Sequence, residues 1–289
     1  MNDQHTLLWP IGGDRTIAVE QFGSDSGVPV LFLPASPGSR LFDPDPLATS
    51  EHGVRLLVVD RPGYGRSSPY PDAAIPGWSA FADDLAGALE RERLGPLPVI
   101  GWSTGGIGAL ALADRRPDLV TSLGVVASPA PDDEVPWLTD HHRSLIRELR
   151  KRPVAALPTL TAMLAELASR PEEAVYSIAA GSGDQSLLDD PGVRSRVADM
   201  VREAFRQGVG GVAADIIATH VAEWRPNLAA IESSARLFYA RGDTLTPPPH
   251  GAYYRDRFSH SDLRILDGSG HLCVIPEWRR ILRAVLSGI

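Results

Sequence analysis

One cysteine, Cys273, stands in 289 residues, so no intramolecular disulfide can form. That count suits a reducing, cytoplasmic setting, and Cys273 reads as a buried packing residue. Positive charge is also scarce. Against 36 Asp and Glu there are 28 Lys and Arg, a formal net charge of -8, which leaves no basic footprint for nucleic acid and mostly favours solubility. No apolar run reaches transmembrane length, and residues 1–5 carry neither a basic region nor a long apolar stretch. A soluble, unexported protein with no membrane partner is therefore expected. His141, His142, His220 and His250 lack carboxylates or cysteines at metal-ligand spacing, so no metal is expected, and no cofactor either. Internal repeats and low-complexity tracts are absent. Composition leaves the oligomeric state open.

Apolar residues are plentiful at 43%, enough for a buried core, and the charged fraction of 22% is ordinary for a globular protein. The first part of the chain alternates strand and helix signals. Residues 16–21, 28–33, 55–59, 96–100 and 122–127 read as strands, and 78–91 and 104–114 as helices, the pattern of a doubly wound, mostly parallel α/β sheet. Between residues 132 and 230 the pattern changes. No convincing strand occurs there, but amphipathic windows at 138–150, 154–169, 193–206 and 212–224 are separated by Pro153, Pro171, residues 181–183 and Pro191-Gly192. The expected organisation is one core in two parts, residues 1–131 and 231–289, with a helical cap at 132–230 inserted between sheet strands.

The most informative stretch is Val99-Ile100-Gly101-Trp102-Ser103-Thr104-Gly105-Gly106, a short β-branched strand turning into a small-residue helix with serine at the apex. A non-glycine residue held at such an apex needs a left-handed backbone and brings its neighbours two before and two after into close contact. Gly101 and Gly105 remove the Cβ atoms that would clash. A Gly-x-Ser-x-Gly match alone is a weak signal, and a solvated serine in a glycine-rich turn would produce it too; the flanking strand and helix favour a nucleophile.

A nucleophilic serine needs a base for its proton and an acid to orient that base. Asp243 follows the strand-like segment 235–240, and His271 follows the segment 263–266 at the end of Asp267-Gly268-Ser269-Gly270. Both are thereby delivered just beyond strand ends. Asp132 and Asp133 follow an earlier strand end and compete with Asp243 for the role of acid. Asp60, in the turn Asp60-Arg61-Pro62-Gly63-Tyr64-Gly65, and Asp267 read as backbone-organising turn residues.

With these residues in place the chain resembles the α/β-hydrolase superfamily, in its serine-nucleophile branch with a helical cap. Five segments carry the resemblance: residues 31–39, residues 58–67, the serine elbow, Ala240-Arg241-Gly242-Asp243 and Gly268-Ser269-Gly270-His271. The order serine, aspartate, histidine is that of the superfamily. The resemblance implies catalysis by Ser103, Asp243 and His271, with an oxyanion hole formed by the backbone N–H groups of Ser36 and Thr104. Where the family usually has His-Gly, this chain has Pro34-Ala35, and Ser36-Pro37 is a candidate cis peptide. For Ser36 the plainer reading is a turn serine bonded to its own backbone.

The implied activity is acyl transfer on a small carbonyl substrate, an ester, lactone or related compound. A serine at the apex argues against the dehalogenase and epoxide hydrolase relatives, which use aspartate there. The alternatives are a ligand-binding or receptor-like homologue with negligible turnover and a cofactor-free perhydrolase. Trp102, Trp137, Met163, Tyr176, Phe205 and Trp224 could line a pocket, although helical spacing of apolar residues chiefly reports a buried face. Arg143, Arg147 and Lys151 fall four apart on one helical face, which could attract an anion but more simply makes a solvated surface.

Overall fold

The computed structural model describes residues 6–71, 74–181, 183–222 and 224–287; residues 1–5, considered above as a leader, lie outside that set. Among the described residues eight strands form a single sheet in the order β1-β2-β4-β3-β5-β6-β7-β8. They are β1 (Leu7–Gly12), β2 (Arg15–Gly23), β3 (Val28–Leu33), β4 (Val54–Val59), β5 (Leu97–Trp102), β6 (Val120–Val126), β7 (Ser234–Ala240) and β8 (Ser261–Leu266). The β1·β2 and β2·β4 pairs are antiparallel, and every later pair is parallel. This is the expected doubly wound α/β sheet. Central parallel strands are covered on both faces and so read as continuous apolar runs. Accordingly, all six residues of β5 are buried.

Alternation along the strands sorts side chains onto the two faces. Leu31, Leu33, Val99, Val125 and Leu237 pack on one side with helices α2 (Trp78–Arg91), α3 (Thr104–Arg115) and α10 (Pro248–Arg255). Phe32, Ile100, Trp102, Val126 and Phe238 pack on the other with α1 (Pro46–Glu51) and α11 (Trp278–Leu286). The expected cysteine, Cys273, is fully buried in this second core.

Between β6 and β7, which are sheet neighbours, the described residues make six α-helices: α4 (Asp140–Arg150), α5 (Pro153–Met163), α6 (Pro171–Ile178), α7 (Asp184–Asp189), α8 (Pro191–Ala204) and α9 (Gly210–Ile216). Leu149, Ala156, Leu160, Ala213, Ile217 and Val221 form a small core of their own beneath α4, α5 and α9. By contrast, Val197, Met200 and Val201 of α8 join the core of the sheet. Two helical windows are shorter than their periodicity suggests: the α-helix at 154–169 stops at Met163 and continues as a 3-10 turn, and the one at 212–224 passes into π-helical turns at Ile217–Val221. The helix at α6 lies where Pro171 reads as punctuation. That proline occupies the first helical turn, where its missing N–H costs no hydrogen bond.

Candidate active site

Ser103 sits between β5 and α3 with φ 55° and ψ -127°, a conformation that L-residues rarely adopt. The strain is held by close packing on both sides. A Cβ on Gly101 would lie 2.4 Å from the Gly105 carbonyl oxygen, and one on Gly105 would lie 2.0 Å from that of Leu33. The Ser103 N–H donates to the Val126 carbonyl at 2.8 Å, tying the apex to the neighbouring strand. These contacts fix the backbone that carries the hydroxyl at the end of β5.

At this rim of the sheet the side chains of three widely separated segments meet. Ser103 Oγ is 2.9 Å from His271 Nε2, and His271 Nδ1 is 2.8 Å from Asp243 Oδ2. An ionised carboxylate only accepts, so Nδ1 carries the proton and Nε2 is left to accept from the serine hydroxyl. Burial alone would raise the Asp243 pKa, but the contact with His271 and the hydrogen bonds from Thr246 hold it below the usual carboxylate range. Asp243 Oδ1 accepts from the backbone N–H groups of Leu245 and Thr246 at 2.8 and 3.0 Å. The Thr246 hydroxyl stands 2.7 Å from Asp243 Oδ2 and 2.9 Å from the Ala127 carbonyl, between two acceptors for its one proton.

Ser36 and Thr104 both line the small cavity of about 260 Å³ in front of Ser103, along with apolar Pro129, Ile178 and Val212. Among the described residues, neither backbone N–H has an acceptor. The Ser36-Pro37 bond is cis. The Ser36 hydroxyl pairs with Tyr64 Oη at 2.7 Å rather than with its own backbone. Since Tyr64 donates its proton to Asp215 Oδ2 at 2.7 Å, it is Ser36 that donates to Tyr64.

At the Pro34-Ala35 segment of the loop after β3, a buried guanidinium fixes the backbone. Arg61 donates to the carbonyls of Pro34, at 2.5 Å, and Ala35, at 2.9 Å, while its other edge pairs with Asp215 at 2.7 Å. One cation thereby fixes the loop after β3 to a carboxylate on α9. Charge-assisted bonds in a forked geometry are the strong class, so the arrangement supplies rigidity that glycine would not.

Sequence reasoning passes over Asp184. Fully buried in the first turn of α7, it accepts from the backbone N–H groups of Gly270, His271 and Leu272 at 3.0, 2.8 and 3.2 Å. Nearby, Thr244 N–H donates to the Ala180 carbonyl at 3.1 Å, and Gly181 forms an isolated bridge with Asp243. The helical insertion is thus stitched to the loops that carry both the imidazole and its carboxylate. From the other side, Trp102 Nε1 donates to the His271 carbonyl at 2.9 Å, so this tryptophan holds the loop from within the core.

The remaining candidates fall elsewhere. Asp132 accepts from the N–H groups of Trp137 and Leu138 and pairs with Arg143 at 2.7 Å; although burial opposes it, these partners hold its pKa down to about 2. Asp133 pairs with Arg225, and Asp267 with Arg241. Asp60 organises backbone as expected, accepting from the N–H groups of Arg40 and Arg66. Of the six apolar candidates, Trp137 lines the cavity at Ser103, Trp224 lines an adjoining groove, Trp102 and Phe205 are core, and Met163 and Tyr176 are more than half exposed. Lys151 pairs with Glu148 on the surface.

Comparison with known proteins agrees with this architecture. A family model described as alpha/beta hydrolase fold matches residues 28–277. The chain is 26% identical over 225 residues to the sn-1-specific diacylglycerol lipase ABHD11 of Mus musculus, a stretch covering 76% of this chain and 66% of that one. It is 27% identical over 217 residues to the pimeloyl-(acyl-carrier protein) methyl ester esterase of Neisseria meningitidis, covering 75% of each. Among solved structures, a thermophilic esterase from Thermogutta terrifontis superimposes with a TM-score of 0.70 at 22% identity, covering 98% of this chain and 97% of the other. No described helix is long and apolar enough to cross a membrane.

Proposed function

The chain is an α/β-fold hydrolase, belonging to the family whose model spans residues 28–277, and on that premise we propose that it cleaves small carbonyl esters through acylation of Ser103. The observation that carries this reading is the unbroken run of contacts from Ser103 Oγ to His271 Nε2 at 2.9 Å and from His271 Nδ1 to Asp243 Oδ2 at 2.8 Å. In the reaction Ser103 Oγ attacks the carbonyl carbon as its proton passes to His271 Nε2, and Asp243 stabilises the imidazolium. The negative charge that collects on the carbonyl oxygen is received by the N–H groups of Ser36 and Thr104, aided by the positive N-terminal end of α3. Collapse of the tetrahedral intermediate expels the alcohol, which takes the proton from His271. Water then repeats the sequence on the acyl-enzyme and releases the acid.

Small substrates are favoured by the cavity of about 260 Å³, below the usual range for drug-sized ligands, and by its mainly apolar walls. Two relatives are a lipase and a methyl ester esterase, which supports an ester substrate. Residues 132–230 act in this reading as a cap over the site, and the setting is cytoplasmic. Hydrolysis of short p-nitrophenyl esters tests the proposal. Wild-type protein should turn them over and Ser103→Ala should lose about 10⁴–10⁶-fold in kcat; turnover unchanged by the substitution would overturn the reading.

A further inference from the structure

A second concavity, about 480 Å³, lies beside the cavity at Ser103 and shares two wall residues with it, Thr219 and His220. Four arginines line it, Arg143, Arg147, Arg150 and Arg225, against two aspartates, Asp132 and Asp133. Among the described residues its lining carries a surplus of two positive charges, on a chain whose net charge is -8. Two of the arginines are already spoken for: Arg143 pairs with Asp132 and Asp140, and Arg225 with Asp133. The other two are not. Arg147 donates to the Ser144 hydroxyl and Arg150 Nε to the His220 carbonyl, and among the described residues neither has a carboxylate within ion-pair distance.

Arg150 is directed by that bond to His220, the residue that separates the groove from the catalytic cavity. The His220 ring in turn packs against Trp137, at 5.4 Å between centroids, and Trp137 lines the cavity at Ser103. The walls of the two spaces are therefore continuous, polar and cationic on one side, apolar and nucleophilic on the other.

We propose that this groove holds the anionic end of the substrate, a carboxylate or a phosphate, while the scissile carbonyl lies at Ser103, so that the substrates are esters bearing a negative charge remote from the bond cleaved. Unpaired guanidinium groups bind both anions through parallel N–H donors. An anionic substrate also explains why cations gather here on an otherwise acidic protein, since local charge of opposite sign raises both encounter rate and affinity. The inference rests on Ser103 being the nucleophile, and its test is arranged to separate the two claims.

The test compares p-nitrophenyl hemiesters of five- to eight-carbon dicarboxylic acids with p-nitrophenyl alkanoates of matched length. At low ionic strength the wild-type KM for the best hemiester should be about tenfold below that of its neutral counterpart, with the advantage shrinking as salt rises. Arg147→Gln/Arg150→Gln should raise the hemiester KM about tenfold and leave kcat/KM for neutral esters within about twofold, which also certifies folding. Equal KM values in the wild type, or a preference that survives the double substitution, would overturn the proposal while leaving the esterase reading intact. If no ester is turned over, calorimetric titration of glutarate and of inorganic phosphate into Ser103→Ala protein still decides the point. Binding of either that is lost on adding the two arginine substitutions supports the groove and tells carboxylate from phosphate; no binding refutes it.

Discussion

Two buried aspartates converge on His271, one at its ring and one at its backbone. Asp243, three residues past the end of β7, takes the ring nitrogen at 2.8 Å. Asp184, from the helical insertion, takes the backbone N–H of the same residue at 2.8 Å, and those of its two neighbours. One carboxylate sets the tautomer of the imidazole; the other sets where the imidazole stands. Inspecting the side-chain contacts alone would miss the second, yet in the proposed mechanism proton transfer over 2.9 Å depends on both.

The first way to sharpen the comparison is to make both aspartates amides. Asp243→Asn should lower kcat about 10⁴-fold, because an amide can no longer hold Nδ1 as the protonated nitrogen. Asp184→Asn retains one acceptor oxygen but loses the charge and one acceptor position, and a shifted histidine loop should cost about 10²-fold in kcat. Steady-state assays on p-nitrophenyl acetate measure both. Equal losses would erase the distinction between orienting and positioning, and an Asp184→Asn enzyme at full activity would remove Asp184 from the account.

A second contrast lies in stability. Arg61→Met strands the Asp215 carboxylate and frees the carbonyls of Pro34 and Ala35, and should destabilise the protein by about 3–5 kcal/mol in urea unfolding. Arg61→Met/Asp215→Leu should recover much of that loss without restoring activity, since the loop carrying Ser36 stays unclamped. Recovery of full activity in the double variant would show the clamp to be dispensable.

The smallest effect concerns His250, which accepts the Ala130 N–H on Nδ1 at 3.0 Å and whose pKa burial lowers from 6.5 to about 4. The folded ring binds its proton less readily than the unfolded one. Its contribution is therefore complete above pH 6.5 and is lost as pH falls towards 4, by about 2 kcal/mol between pH 7 and pH 5. Asp43, raised to about 6 by burial, acts in the opposite sense over part of that window. The histidine component is thus the difference in pH dependence of Tm between wild type and His250→Gln. Identical curves would contradict it.

The legibility of this molecule follows the same division between rim and insertion. Helix α2 occupies residues 78–91 as its apolar spacing predicts, and β3 occupies 28–33, because each buries a face whose period is written locally. The three side chains that meet at the rim, Ser103, Asp243 and His271, are likewise placed by local signals, each following a strand and accompanied by glycines that mark the turn. Asp184 and Asp215 carry no such mark. Their partners lie 87 and 154 residues away, and a lone aspartate on a short helix looks like any other until the chain is folded. The Pro34-Ala35 segment invites the same lesson, since what holds its carbonyls is Arg61, legible in sequence only as part of a turn.

The central claim is that Ser103 becomes acylated because His271 removes its proton. A fluorophosphonate probe followed by intact mass and peptide mapping tests it directly. The account predicts one adduct per chain, on Ser103, abolished in Ser103→Ala and slowed by orders of magnitude in His271→Ala. Labelling at another residue, or labelling of Ser103 at an undiminished rate without the imidazole, would contradict it.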